Sequence, residues 1–188
     1  MQGGKRRIKY LNRDQTAQFF SVVCDLRDRA LFAVIYHYGL RVSEATLLQL
    51  SDVDLERGRI TISRLKSGLG GERPLFSNTG ELLKSYLEVR LPTGSALFTG
   101  RQGDLKRSRI QQLFRRYAEE TGLESFSVHC LRHSIATHLL EAGQGIEYVR
   151  DHLGHVNIQS TIIYAEITNQ WREQIFQRLE RSSEIVKV

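Results

Sequence analysis

Leu153-Gly154-His155-Val156-Asn157-Ile158-Gln159-Ser160-Thr161-Ile162-Ile163-Tyr164 places a tyrosine nine residues after a histidine, near the end of the chain. Upstream, in order, stand Gly39-Leu40-Arg41-Val42-Ser43-Glu44 and His129-Cys130-Leu131-Arg132-His133. A lone tyrosine usually serves packing. A tyrosine preceded by two arginines and two histidines in this order is what cleavage of a phosphodiester by a tyrosine hydroxyl requires.

Working outward, His129 and Arg132 stand three apart at a predicted helix start, so they share one side while Leu131, Ile135 and Leu139 take the other. Helices are predicted over 79–90, 106–121, 130–142, 146–153, 157–165 and 168–181, with breaks at Pro92-Thr93-Gly94, Gly100 to Gly103, Gly122, Gly143-Gln144-Gly145 and Gly154. Ahead of these, residues 1–12 read as a basic arm. Asn12 or Asp14 then caps a helix through about residue 24, with Ala17, Phe19, Phe20 and Val23 on its apolar face. A second helix, about 26–38, stops at Gly39, and Ser43 starts a short third one through Leu50. Ser51 to Asp54 reads as a turn. Arg59-Ile60-Thr61-Ile62-Ser63 alternates as a strand, and Arg73-Pro74-Leu75-Phe76 returns across a glycine-rich hairpin. The class is mainly α with a small antiparallel β-sheet.

At 188 residues the chain is long enough for a sizeable core, and its formal charge of +6 favours a polyanionic partner. The charge is concentrated. Lys5, Arg6, Arg7 and Lys9 crowd the N-terminus, and Arg101, Lys106, Arg107, Arg109, Arg115 and Arg116 stand against Asp104 alone. Cys24 and Cys130 are too far apart to form a framework and read as reduced thiols, Cys24 on the apolar side of its helix. No apolar run approaches the ~18 residues of a membrane span, and no secretion signal follows the basic start. The expected location is the cytoplasm.

On these motifs the chain resembles the catalytic domain of the tyrosine recombinases, the integrase-like family, from about residue 10 to 170. Gly39 to Glu44 is similar to that family's first arginine box, and Lys66 falls where the family has its hairpin lysine. His129-Cys130-Leu131-Arg132-His133 matches the His-x-Leu-Arg-His box, Leu153-Gly154-His155 the next box, and Thr161 to Tyr164 the nucleophile box. The resemblance implies the tyrosine recombinase catalytic-domain fold. It also implies an arm at 1–12, a catalytic domain at 13–167, and a C-terminal helix and tail at 168–188. In that helix Trp171, Ile175, Phe176 and Leu179 share an apolar face that closes its own core or docks on a neighbouring protomer.

The chemistry accounts for the residue types. A phosphodiester gains negative charge as a nucleophile adds, and guanidiniums are planar, bidentate and permanently charged donors. The resemblance implies that Arg41 and Arg132 hold the scissile phosphate with His155 as a further donor, and that Tyr164 attacks to leave a 3′-phosphotyrosine. His129 is then expected to accept the phenolic proton, Lys66 to protonate the departing 5′-oxygen, and Glu44 to orient the site. Neither ATP nor a metal is implied, since bond energy is kept in the covalent link. A metal reading of His129, Cys130 and His133 lacks a second cysteine pair. His133 reads as a supporting residue, and His37, His138 and His152 as packing or surface residues.

Lys5, Arg6, Arg7, Lys106, Arg107 and Arg109 are expected to bind DNA, chiefly its phosphates. The implied partners are double-stranded DNA with paired recognition sites and further copies of the chain, as a dimer or tetramer. Site-specific recombination through a covalent phosphotyrosine is the reading. The alternatives are DNA relaxation of the type IB topoisomerase kind and a non-cleaving DNA-binding regulator. Only about twelve residues precede the first helix, so the chain reads as a minimal recombinase ahead of a catalytic fragment of a longer integrase. In size, arm and the run Arg64-Leu65-Lys66-Ser67-Gly68 followed by Arg73-Pro74-Leu75, it resembles the small fimbrial-switch invertases.

Overall fold

The computed structural model describes residues 8–65, 68–92, 94–101 and 103–165, together with positions 173, 176, 177 and 180. Its centre is a helix buried on nearly every side. In α2 (Leu26–His37) each residue from Ala30 to Ile35 is buried, and the helix packs against α4 (Ser77–Val89) and α6 (His129–Glu141). Asp25 caps α2 by accepting from the Asp28 amide at 3.0 Å, and Gly39 ends it in the left-handed region at φ 56°. Phe19, Phe32, Phe114 and Tyr117 form the aromatic middle of the main core, joining α2 to α1 (Arg13–Val22) and α5 (Arg107–Glu120). A smaller apolar cluster of Ile135, Ala136, Leu140, Val149, Leu153 and Tyr164 joins α6 to α7 (Ile146–Leu153) and α8 (Gln159–Ala165).

Several predicted elements shift, each for a local reason. Asn12 caps α1 through a reciprocal box with Gln15. The buried face of α1 is then Thr16, Phe19 and Val23, which leaves Ala17 exposed. Cys24 lies past the helix end and is exposed, against expectation. The third helix, α3, covers only Val42–Ala45, because Leu48 to Leu50 pair their backbone with Ser95 to Leu97 instead. The last residues of the predicted arm belong to the fold: Leu11 is fully buried and its amide donates to Ser134 Oγ at 2.8 Å.

The three-stranded antiparallel sheet runs β1 (Val53–Asp54), β2 (Arg59–Ile62), β3 (Gly71–Pro74), with Ile60 paired to Val53 and Arg73. Its first strand occupies the predicted turn. A second small sheet, β4 (Thr99–Gly100) with β5 (Gly103–Asp104), sits where only a break was expected. The predicted helix over 168–181 falls outside the described residues except at four positions, of which Phe176 is exposed. Among the described residues no helix is long and apolar enough to cross a membrane.

Two contacts dock the sheet on the helices near the chemistry. Arg73 pairs with Asp151 and donates to its carbonyl at 3.1 Å, and the Leu69 amide donates to the Gly154 carbonyl at 3.3 Å. Gly154 caps α7 at φ 66°, and a methyl there would fall 2.8 Å from Leu69 O and 2.9 Å from Arg64 Cγ. Gly154→Ala should therefore cost about 2 kcal/mol and lower Tm by roughly 4–8 °C. Gly58→Ala, at φ 61° but with nothing within 4 Å, should cost distinctly less. Equal thermal shifts for the two variants would show that the hairpin does not press on Gly154.

Candidate active site

The site is assembled around one carboxylate. Glu44 is 1% exposed and lies in the first turn of α3, where its Oε2 accepts from the Arg41 amide at 2.8 Å. Its Oε1 accepts from Arg41 Nη1 at 2.7 Å, and its Oε2 from Arg64 Nη1 at 3.0 Å. Arg132 Nη1 stands 3.8 Å from the same oxygen. Burial pushes the carboxyl up, but the amide and the guanidiniums outweigh it, so Glu44 is held below its ordinary range.

The arginines differ in what they offer. Arg41 precedes α3 and keeps about a third of its side chain exposed at 32%. Arg132, on the first turn of α6, is 1% exposed. It donates to the Gly39 carbonyl, to Leu153 O at 3.0 Å and to His155 Nε2 at 2.8 Å. Gly39 has to be glycine for this. Its backbone is left-handed, and a methyl on it would fall 2.5 Å from Leu153 Cδ2. Burial, then the charges of Arg41 and Arg64, lowers the Arg132 guanidinium to about 10, which still leaves it charged at neutral pH.

Arg64 carries no role in the sequence reading, yet it is a central residue. Its side chain is 2% exposed and donates to Tyr38 O at 2.8 Å, His152 O at 2.7 Å and Gly39 O at 3.3 Å, besides Glu44. The signal lay in the strand alternation, since Ile60, Ile62 and Arg64 fall on one face and both isoleucines are buried.

His155 follows the Gly154 cap and is buried. Arginine only donates, so His155 Nε2 accepts from Arg132 and Nδ1–H donates to Thr161 Oγ1 at 2.9 Å. Burial, helped by Arg132, Arg41 and Arg64, takes this imidazole down to about 4, and it is neutral. In this arrangement His155 buttresses Arg132. Donation to a phosphate, the expected role, requires the other tautomer.

Tyr164 is 2% exposed on α8, and its hydroxyl lies 2.8 Å from His133 Nδ1. Burial pushes the phenol up to about 12, against the lowering charges of Arg132 and Arg41. The expected proton acceptor, His129, is exposed at the start of α6 with its ring 4.5 Å edge-on from that of His133. Burial, then Arg132 and Arg41, lowers its pKa. It is His133, expected only to support, that meets the Tyr164 hydroxyl. His37, His138 and His152 serve packing as expected, bonding Thr79, Tyr36 and the His37 carbonyl respectively.

Lys66, Lys5, Arg6 and Arg7 lie outside the described residues. Leu65, beside Lys66, directs its amide at Glu44 Oε1, 3.4 Å away, so the hairpin is rooted at the site. The basic residues of α5 divide. Arg107 and Gln111 line a cleft of about 400 Å³ with Arg41, Ser43 and His129. Lys106 and Arg109 line a separate groove of about 720 Å³ with Arg27, Arg101 and Arg116, on the opposite flank of the helix.

The sequence and the fold have counterparts among known proteins. The chain is 36% identical over 167 residues to tyrosine recombinase XerC of Pelotomaculum thermopropionicum, covering 81% of this chain and 54% of that protein. The crystal structure of XerA recombinase superposes with a TM-score of 0.81 at 25% identity, covering 97% of this chain and 67% of that one. A post-cleavage complex of XerH site-specific recombinase with palindromic difH substrate gives 0.75 at 27% identity, covering 92% and 54%. The fold is the tyrosine recombinase catalytic-domain fold. The chain spans a little over half the length of the curated relatives it matches. Residues 9–170 match the phage integrase family, and with its arginines, histidine and tyrosine gathered on that family's fold, the chain belongs to it.

Proposed function

We propose that this chain cleaves and rejoins DNA through a covalent 3′-phosphotyrosine in site-specific recombination. The observation that carries the reading is that four separate segments bring Arg41 and Arg132 to the buried Glu44, His155 against Arg132, and Tyr164 within reach of both guanidinium charges. A phosphodiester oxygen entering the cleft would meet Arg41 first, the more exposed guanidinium, with Arg132 fixed behind it by carbonyls and His155. Tyr164 Oη attacks phosphorus as its proton passes to His129, the bond to the 5′-oxygen breaks, and Lys66 gives that oxygen its proton. Reversal by another strand's 5′-hydroxyl restores the tyrosine. No external energy source is needed, because one phosphoester replaces another.

The partners on this reading are double-stranded DNA with paired sites and further copies of the chain, in the cytoplasm where that DNA lies. Arg107, sharing a cleft with Arg41 and His129, is placed to contact the duplex beside the scissile phosphate. Lys106 and Arg109, on the other flank of α5, would touch a different stretch of backbone, and Lys5, Arg6 and Arg7, outside the described residues, are read from their charge as further phosphate contacts. The run Arg64 to Gly68 with Arg73-Pro74-Leu75 supports the finer likeness to fimbrial-switch invertases. The helix over 168–181 we read as docking on a neighbouring protomer. Truncation after residue 167 should then leave a folded, mostly monomeric protein that binds DNA without cooperative assembly. Loss of the fold by circular dichroism would return the helix to its own core.

Tyr164→Phe should retain duplex binding and form no covalent adduct on a nicked suicide substrate, while the parent forms adduct even in chelator. Strict magnesium dependence of the parent's adduct would overturn the reading, since no metal-activated water takes part. A protein that binds sites without any adduct would be the DNA-binding regulator. One that relaxes supercoils without exchanging strands between sites would be the topoisomerase-like alternative.

Lys66→Ala should slow cleavage of ordinary DNA by about 10²-fold or more, the usual share of a general acid. A 5′-bridging phosphorothioate, with its better leaving group, should restore Lys66→Ala and not Arg41→Ala, whose defect lies in charge stabilisation. Rescue of both variants or of neither would make Lys66 a binding residue.

A further inference from the structure

The hydrogen bond on the nucleophile points to a residue with its own task. Tyr164 Oη is sealed from solvent, and among the described residues His133 Nδ1 is its one hydrogen-bond partner. A buried hydroxyl has to place its hydrogen, and a ring nitrogen 2.8 Å away is where it goes. From that geometry we propose that His133 is a positioning residue that latches Tyr164: its Nδ1 accepts the phenolic hydrogen and holds the nucleophile turned in and protonated until DNA engages. This rests on the covalent reading above.

The latch is distinct from a general base. Burial, then His129, Arg132 and His155, lowers His133 to about 4, while the phenol stands at about 12. Proton transfer between them is uphill by many orders of magnitude, so the bond stabilises the neutral pair. The fold also gives the latch room to open. The other side of the His133 ring borders a cavity of about 350 Å³ lined by Ile8, Lys9, Phe126 and His129, into which the ring can turn. The charged and titratable groups facing Tyr164 are His133 and Arg132 from α6, His155 from the turn after α7, and Arg41 ahead of α3, with His129 behind His133. Burial and the bond to His133 both favour the neutral phenol, against the charges of Arg132 and Arg41, so releasing the hydroxyl removes one of the two and shifts the balance toward the phenolate.

His133→Phe keeps a ring of similar size and removes the acceptor. On a suicide substrate carrying one site, where no partner copy assists, its adduct should form about three- to tenfold faster than the parent's, the ratio one hydrogen bond is worth. The rise of rate with pH should also begin at lower pH. His133→Asn, whose Oδ1 can stand in for Nδ1, should bring both measures back toward the parent and carries the comparison should the phenylalanine variant unfold. Loss of adduct by about 10²-fold with the fold intact would make His133 a general base and overturn the latch. So would a rate and pH profile unchanged by either variant. A second readout needs no cleavage. In DNA-free protein with ¹³C-labelled tyrosine, the resonance missing from Tyr164→Phe should titrate at lower pH in His133→Phe than in the parent. Identical titration would overturn the latch even if the parent formed no adduct, an outcome that separately overturns the covalent reading.

Discussion

One buried carboxylate holds three guanidiniums, and the rest of the site follows from that arrangement. Arg41, Arg64 and Arg132 repel one another, and two of them are almost fully buried. Glu44 offsets one of the three charges and its oxygens organise the others. The carbonyls of Tyr38, Gly39, His152 and Leu153 take up further donors, so the buried charges are hydrogen-bonded as well as paired, with Arg64 Nε left without a partner among the described residues. Two net positive charges remain. On the proposed function, a phosphodiester carries one negative charge and approaches two as a nucleophile adds, so such a pocket would match the transition state more closely than the substrate.

The same network explains the loops. The carbonyls that serve the arginines come from the ends of α2 and α7, which turn sharply through left-handed glycines at 39 and 154. A helix end leaves its last carbonyls without partners. Here the guanidiniums satisfy several of them, so two helix termini and the sheet hairpin are pinned to one point. Arg64 is the link between hairpin and helices, and the Arg73–Asp151 pair reinforces it from the next strand.

What the sequence disclosed and what it withheld divide along physical lines. Arg41, Arg132, His155 and Tyr164 stood out because the family resemblance implies those residue types in that order, and helix spacing put His129 and Arg132 on one face. Helices such as α7, with its glycines at both ends, were legible from local punctuation. The Leu48–Leu50 segment was misread because its partner strand, Ser95–Leu97, lies far along the chain. Arg64 was passed over because a charged residue on a glycine-rich hairpin is usually solvated, and only tertiary closure shows it buried. Lys106, Arg107 and Arg109 read as one basic run, although helical rotation sends Arg107 to one flank and its neighbours to the other. Which histidine meets Tyr164 was beyond sequence reading, since it depends on how α8 seats against α6.

That seating gives Tyr164 a double character. Tyr164 belongs to the smaller apolar cluster with Ile135, Leu140, Val149 and Leu153, so its ring contributes to the packing of α6, α7 and α8 while its hydroxyl belongs to the site. Ile8 packs on the same cluster. A shift of α8 or of the segment around Ile8 would therefore act on Tyr164 through close-packed side chains, without touching the arginines. On the proposed reading, phosphate binding rests on the arginine–glutamate network of the main fold and cleavage on a tyrosine seated in the smaller core, so contacts near α8 would bear on cutting more than on binding.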